Sequence, residues 1–366
     1  MLVSKLKKIT PTPIKILKRR TFNYFENNFI STYGSKDKDL FIGPWLGDVG
    51  KELMYWIPYV RKMNKDGKLL FRKAYAVSRG GVEEWYGGLA DGYVEILDYI
   101  DTNVYRQPFE IQQNRNSGKE VPGVSNFGNE GQNQFKISDI ERKIISDYAL
   151  KNNISKYEIF HPSVMWKNSR DRLIRDGRVL SLQEIDAINY WEKCNRTTEK
   201  YSKIVDKLDL PNKFVAAKFY FHPTNLLETD ENKIHINKYI NKLSKTQKIV
   251  DLSAPLSVDE SRPHILDHDN KNIMNVPIIS QDNINLGIQT EIIRRSEGFV
   301  GTWGGVSVLP ALLGKPHIGF FSGHVRDIHP DYCYHNLLFT YLYEELNDVP
   351  IKLIDIKKSD LLGNLF

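Results

Sequence analysis

Short apolar runs alternate with segments of helical spacing along most of the 366-residue chain. The runs Leu40–Ile42, Ala74–Ser78 and Phe214–Phe221 have the length and the flanking turn residues of buried strands. Between them, apolar residues recur three and four positions apart, as around Leu53 and Trp56, which predicts helices. This alternation in both halves predicts an α/β protein with two Rossmann-like domains facing a cleft.

The most regular strand-turn-helix unit lies between Phe299 and Phe321. A helix is predicted from Val306 to Leu313, where Gly314 ends it, and its first turn contains Ser307. The preceding turn consists of Gly301, Thr302, Trp303, Gly304 and Gly305. Unpaired amides at such a helix start can hold a phosphate. The alternative is a tight turn that needs glycine for positive φ and binds nothing.

A second glycine-rich loop follows the strand at Leu40–Ile42 and includes Trp45, Gly47 and Asp48. A helix begins there, and Pro58 within it predicts a kink or a break. Asp48 and Glu52 stand at the loop and the first helical turn, where acids often only cap a helix. The functional interpretation is a carboxylate at the carboxyl end of a strand, where open α/β sheets place their chemistry.

Other candidate residues follow further predicted strands. Arg79 suits an oxyanion and the nearby aromatic rings suit a sugar ring, although these aromatic residues could equally be core. Lys218 lies inside an apolar strand, which favours a cleft or an anion over an edge-strand position facing water. The remaining candidates for lining the cleft are Trp85, Tyr86, His161, Ser163 and His222.

The predicted domains are a basic N-terminal arm at residues 1–35 and two Rossmann-like domains at 36–200 and 201–366. A polar segment at residues 112–134 is predicted to be a long loop. The polar segment at 263–270, which contains two His and two Asp, is also predicted to be a loop. Metal binding is the alternative there, but HxxxHxD is not a familiar ligand spacing, which favours a surface loop. No element is predicted over 168–178.

Composition narrows the class of protein. With 41% hydrophobic and 26% charged residues, and two cysteines, the chain is expected to be cytoplasmic, with no disulfide framework and no metal site. Seven of the 51 basic residues lie in the first twenty positions, which leaves 44 against 45 acidic residues. The near-neutral body excludes a nucleic-acid binder. Residues 1–30 could contact an anionic membrane surface, or form a solvated or docked extension.

The two glycine-rich turns resemble those of bacterial GT-B glycosyltransferases, in particular the heptosyltransferase kind. The matching motifs are Leu46-Gly47-Asp48 with Pro58 in the first half, and the turn at Gly301–Gly305 with Leu313-Gly314-Lys315-Pro316 in the second. Trp303 and the doubled glycine depart from that pattern. The chain is also similar to surface-polysaccharide glycosyltransferase-like proteins with GPWLGxxGxEL and HPSxM segments.

The resemblance implies transfer of a sugar from a nucleotide-sugar co-substrate to a glycan or lipid-linked acceptor, with no other cofactor and no obligatory metal. Asp48 would be the catalytic base, with Glu52 as the alternate. Lys218, His222 and the turn would hold the donor phosphates. Arg79 and His161 would line the cleft on the acceptor side. The domain at 36–200 would be the acceptor domain, and the domain at 201–366 the nucleotide-sugar-binding domain. Two alternatives stay open: a polysaccharide pyruvyl transferase, and a non-catalytic carbohydrate- or nucleotide-binding module.

Overall fold

The computed structural model describes residues 32–106, 134, 136–166, 172–175, 178–181, 189–222, 225–254, 262–322 and 349–361. The basic arm and most of the polar segment at 112–134 lie outside these residues. Within them the strands are β1 Tyr33–Gly34, β2 Asp39–Ile42, β3 Leu69–Leu70, β4 Ala74–Ser78, β5 Gly92–Glu95, β6 Tyr157–Phe160, β7 Arg172–Arg175, β8 Arg178–Ser181, β9 Val215–Phe221, β10 Ile249–Asp251, β11 Arg262–His264, β12 Ile273–Asn275, β13 Gly298–Thr302, β14 His317–Phe321 and β15 Ile351–Asp355.

The helices of the same residues are mostly short. The α-helices are α1 Val49–Lys51, α2 Ile57–Lys65, α3 Asp139–Lys151, α4 Ser163–Trp166, α5 Glu199–Val205, α6 Asp230–Leu243, α7 Asn285–Arg295 and α8 Leu309–Leu312. A π-helical turn covers Glu52–Trp56, and 3-10 helices cover Glu83–Tyr86, Ile96–Asp98, Pro277–Ser280, Gly305–Val308 and Ile356–Leu361.

Two parallel sheets confirm the predicted α/β class. The first has the strand order β5-β4-β2-β6, and the second has the order β12-β10-β9-β13-β14-β15. In the second sheet Val300 lies between Ala217 and Ile318 in register. The first sheet ends in sequence at Phe160 and the second begins at Val215, with the predicted domain boundary between them.

Pro58 is accommodated by a change of helix type. The amide of Ile57 donates to the carbonyl of Glu52, five residues earlier, so the chain widens into a π turn before Pro58 enters the first turn of α2. Proline lacks a backbone N–H donor, and the N–H groups in the first turn of a helix have no acceptor within the helix. The predicted kink is therefore a π turn.

Two predictions of irregular structure are corrected. The segment 263–270 is not loop throughout, because β11 pairs antiparallel with β9 and places His264 opposite Phe219. Within 168–178, where no element was predicted, Arg172–Arg175 forms β7, which pairs antiparallel with β8 at Arg178–Ser181.

The two lobes are packed together through a shared core. One apolar cluster includes Trp56 from the first lobe and Leu309 from the second. The amide of Gly287 donates to the carbonyl of Gly80 at 2.8 Å, and Arg294 pairs with Glu84 at 3.1 Å. A shared core, a backbone hydrogen bond and an ion pair therefore join the two lobes.

Candidate functional site

Both predicted glycine-rich turns lie where the strand order of a sheet reverses. In the first sheet β2 is followed on one side by β4 and on the other by β6, so the loop after β2 starts at the reversal. In the second sheet β9 has β10 on one side and β13 on the other, so the turn after β13 lies beside the reversal. Ligands of open α/β sheets bind at such points, outside the carboxyl ends of the strands.

Asp48 is the accessible residue of the first turn. Every residue from Asp39 to Gly50 is buried except Asp48, which is partly exposed. Its Oδ1 accepts the Lys51 amide at 2.8 Å and caps α1. Within the described part of the chain, Oδ2 accepts no hydrogen bond, so one carboxylate oxygen stays available for a proton.

The second turn also exposes few of its residues. From Gly298 to Leu312 only Gly304 and Gly305 are partly exposed. Gly304 has φ +113° and Gly305 has φ +47°, and a Cβ on Gly304 would lie 2.1 Å from Asn225 Nδ2. Glycine is therefore required at position 304 both by its backbone angle and by its close neighbour.

Hydrogen bonds fix the shape of this turn. The Thr302 hydroxyl donates to the Tyr220 carbonyl at 2.7 Å, and Asn225 Nδ2 donates to the Trp303 carbonyl at 2.7 Å. The Gly304 amide donates to Ser307 Oγ at 2.8 Å.

The amides of Gly305 and Val306 donate to no acceptor in the part of the chain that the structure covers. They are the first two amides of a 3-10 helix, which have no partner within it. Two adjacent unpaired amides at a partly exposed turn can bind an anion.

The two turns touch each other. A Cβ built on Gly50 would lie 3.1 Å from Asp48 Oδ1 and 3.3 Å from the Gly305 nitrogen. The carboxylate of Asp48 and an unpaired amide of the other lobe therefore both lie beside Gly50. Neither turn alone combines a base with an anion-binding group, but the contact between them does.

Glu52 is placed differently from Asp48. It is fully buried and accepts from Ser78 Oγ at 2.6 Å, Tyr86 Oη at 2.7 Å and Arg79 Nη1. Burial raises its pKa, and the Arg79 charge opposes that rise. Since an acceptor cannot reach this carboxylate, its prediction as the alternate base is corrected to a structural role.

Arg79 forms a buried ion pair with Glu52 and also contacts the loop that carries Asp48. Its Nη2 donates to the Gly47 carbonyl at 2.8 Å, and the side chain is 5% exposed. The prediction that Arg79 lines a cleft is therefore wrong. The side chain is buried and holds the loop that carries Asp48 in place.

His161 also supports the first loop. Its Nδ1 accepts the Ser163 amide at 3.1 Å, and its Nε2 lies 2.9 Å from Glu141 Oε1, an arrangement that a neutral ring with the proton on Nε2 satisfies. Glu141 in turn accepts from Gln134, whose Oε1 accepts the Leu46 amide. The prediction that His161 faces the cleft is corrected, because the ring is 5% exposed.

The predicted aromatic residues belong to the core. Trp45 stacks on Trp56, and Trp85 Nε1 donates to Thr290 Oγ1 at 3.0 Å across the lobes. Trp45, Trp85 and Tyr86 are at most 1% exposed, so they are removed from the predicted acceptor surface. Spacing alone cannot distinguish a buried aromatic residue from one that stacks on a sugar.

Trp303 packs beneath the turn. Its ring stacks on His317, with centroids 6.1 Å apart and planes at 9°. His317 is fully buried, and burial lowers its pKa to about 3. Both rings are interior, so Trp303 forms the floor of the turn and does not contact a bound donor in this conformation.

Lys218 and His222 lie on the strand that borders the turn. Within Phe214–Phe221 only Lys218 is partly exposed, and its Nζ donates to Gln289 Oε1 at 2.8 Å. His222, also partly exposed, follows the strand and pairs with Leu226 through its backbone. Both stay candidates for the donor side.

Three residues of this site were not predicted from the sequence. Tyr220 places its hydroxyl 3.4 Å from where a Cβ on Gly305 would be, Asn225 holds the turn, and Gln289 holds Lys218. Alternation along β9 could have indicated Tyr220, because it shares a face with Lys218. No local signal marks the other two.

The described residues contain neither a metal-binding group nor a membrane span. No group of three or more His, Cys, Asp or Glu side chains within them is arranged to hold a metal ion. None of the described helices combines the length and apolar content that crossing a bilayer requires.

Comparison with known proteins gives only distant likenesses. No protein-family model and no curated protein sequence matches the chain. Among solved structures, a family 9 glycosyl transferase from Veillonella parvula is 12% identical, with 90% of each chain covered and a TM-score of 0.42. E. coli ADP-heptose heptosyltransferase II is 11% identical, covering 78% of this chain and 85% of that one, with a TM-score of 0.41.

A third similar structure is the UDP-GlcNAc 2-epimerase of Methanocaldococcus jannaschii. It is 10% identical, with 89% and 92% of the two chains covered and a TM-score of 0.37. Likenesses at this level assign no function, so the function is argued from the site itself.

Proposed function

We propose that the chain is a glycosyltransferase that moves a sugar from a nucleotide-sugar donor to a glycan or glycolipid acceptor in bacterial surface-polysaccharide synthesis. The observation that carries the proposal is the contact between the two turns, where the Asp48 carboxylate and the Gly305 amide both lie beside Gly50. A base for an acceptor hydroxyl and a binding group for a leaving phosphate are the two groups that sugar transfer needs.

The donor diphosphate binds at the second turn in this proposal. The amides of Gly305 and Val306 supply two hydrogen bonds to phosphate oxygens, and Lys218 supplies positive charge from the neighbouring strand once its bond to Gln289 exchanges. These groups stabilise the negative charge that the diphosphate gains as it leaves. We therefore propose transfer without a resident metal.

Asp48 acts on the acceptor. Its Oδ2 takes the proton of the acceptor hydroxyl, the hydroxyl oxygen forms a bond to the anomeric carbon, and the bond from that carbon to the diphosphate oxygen breaks. The sugar and acceptor hydroxyl separate the carboxylate from the phosphate, which would otherwise repel it. A single displacement of this kind inverts the configuration at the anomeric carbon.

Thermal unfolding with a panel of UDP-, GDP-, ADP- and CMP-linked compounds tests the donor site. We expect one nucleotide to raise the melting temperature, since a ligand that binds only the folded state stabilises it. Lys218→Ala should abolish the rise, while Lys357→Ala, at an exposed position, should keep it.

The same panel separates the alternatives. Absence of protection by any nucleotide would contradict the proposal. Protection by phosphoenolpyruvate alone would indicate pyruvyl transfer, and nucleotide binding without turnover of any acceptor would indicate a binding module.

We further propose that the protein works at the inner face of the plasma membrane, held there by the basic residues among positions 1–30. Deleting residues 1–20 should reduce sedimentation with vesicles containing anionic lipid and leave nucleotide protection unchanged. Equal sedimentation of the truncated and full chains would contradict membrane contact.

A further inference from the structure

A pocket opens between the lobes on the β5 side of the first sheet. Its volume is about 330 Å³, and it is separated from the contact between the glycine turns by the segment Arg79–Gly81. It is lined by Glu83, Tyr93, Val94, Glu95, Asp98, Tyr99, Tyr148, Lys151, Asn152, Lys200, Tyr201 and Asn283. Pockets of this size commonly bind small molecules.

The floor of this interlobe pocket is fixed in place. Glu95 accepts the Gly81 amide at 2.8 Å, the Leu97 amide at 3.1 Å and the Tyr93 hydroxyl at 3.0 Å. Burial raises the pKa of Glu95 to about 7. A carboxyl group held by three donors is preorganised, so binding a ligand beside it requires little rearrangement.

Tyr201 supplies a polar group without a partner. The residue is 1% exposed, and its hydroxyl makes no hydrogen bond within the ranges that the structure describes. The hydroxyl is pressed against Gly81, where a Cβ would lie 2.0 Å away. The hydroxyl is not among the fully enclosed unbonded polar atoms of the described residues, so it keeps some accessible surface from which it can bond a ligand hydroxyl.

The lining selects for a neutral ligand rich in hydroxyl groups. The carboxyl groups of Glu83, Glu95 and Asp98 accept hydrogen bonds, and the ammonium groups of Lys151 and Lys200 donate them. These opposite charges nearly balance, so the pocket favours neither a strong anion nor a strong cation. Its tyrosine rings add apolar surface that suits the C–H faces of a sugar ring.

We propose that the interlobe pocket is a binding site for a neutral saccharide. The Tyr201 hydroxyl bonds a sugar hydroxyl, Glu95 lies beside it at the floor, and Tyr93, Tyr99 and Tyr148 form the walls. The proposal goes beyond the transfer reaction, because none of the residues assigned to donor or base lines this pocket.

Saturation-transfer difference NMR on the full chain tests this site without a nucleotide. The probes are glucose, galactose, mannose, N-acetylglucosamine, lactose and maltose, with glucosamine and glucuronic acid as charged comparators. We expect at least one neutral probe to bind, and Tyr201→Phe to weaken it about five- to tenfold by removing one hydrogen bond. Tyr99→Leu, which removes a wall, should also weaken it.

Tyr239→Phe is the matched control, because Tyr239 is a buried tyrosine packed on Phe320 outside the pocket. The affinity of the Tyr239→Phe variant for the saccharide should equal that of the wild type. The proposal is overturned if no neutral probe binds, if only a charged comparator binds, or if Tyr201→Phe and Tyr99→Leu both bind like the wild type. Displacement of the saccharide by a protecting nucleotide would also overturn it, since the two sites would then be one.

Discussion

Replacing Asp48 with asparagine should lower turnover of the transfer reaction by about a hundredfold to ten-thousandfold while nucleotide binding persists. The size follows from the usual contribution of a positioned general base. Asparagine caps a helix as well as aspartate does, so the bond from the Lys51 amide is kept and the loop retains its shape. The substitution therefore removes basicity with little change in structure.

The measurement is sugar transfer under single-turnover conditions, with nucleotide protection recorded on the same sample. Asp66→Asn is the control, because Asp66 ends α2 away from the turns. If Asp48→Asn keeps more than a third of the wild-type rate, Asp48 is not the base.

Glu52→Gln should reduce the free energy of unfolding by about 3–5 kcal/mol, the usual cost of removing one partner of a buried ion pair. The change is nearly isosteric, but it leaves the Arg79 guanidinium buried without a counter-charge. Because Arg79 also donates to the Gly47 carbonyl, the loop that carries Asp48 should become less ordered.

Urea unfolding measures this loss. Glu231→Gln, at the exposed pair with Lys357, should unfold at the wild-type urea concentration. Glu52→Met combined with Arg79→Met should recover part of the stability, since it removes both charges. Wild-type stability of Glu52→Gln would contradict the structural role assigned to the pair.

Local sequence pattern predicted the elements that dominate the fold. Ala74–Ser78 was predicted with its observed bounds because a continuous apolar run between turn residues leaves few alternatives. Gly314 was expected to end the helix after the second turn, and its φ of +68° is the left-handed conformation that glycine favours there. Both signals are contained within a few consecutive residues.

Side-chain environment was harder to predict because it depends on contacts distant in sequence. Glu52 and Asp48 are both acids near the start of one helix. Only the folded chain shows that Glu52 is buried and paired with Arg79. Trp85 meets its partner Thr290 in the other lobe. The contact of Gly50 with Gly305 likewise joins the two halves, and no local pattern encodes it.

In the proposed reaction the donor diphosphate binds to the amides of Gly305 and Val306. Amide chemical shifts of the isotope-labelled protein, followed as UDP, GDP and ADP are each added, test it most directly. We expect these two amides to shift most for the nucleotide that binds, and their shifts to saturate along its binding curve. Saturated binding that leaves both amides unshifted, while resonances elsewhere move, would contradict the account.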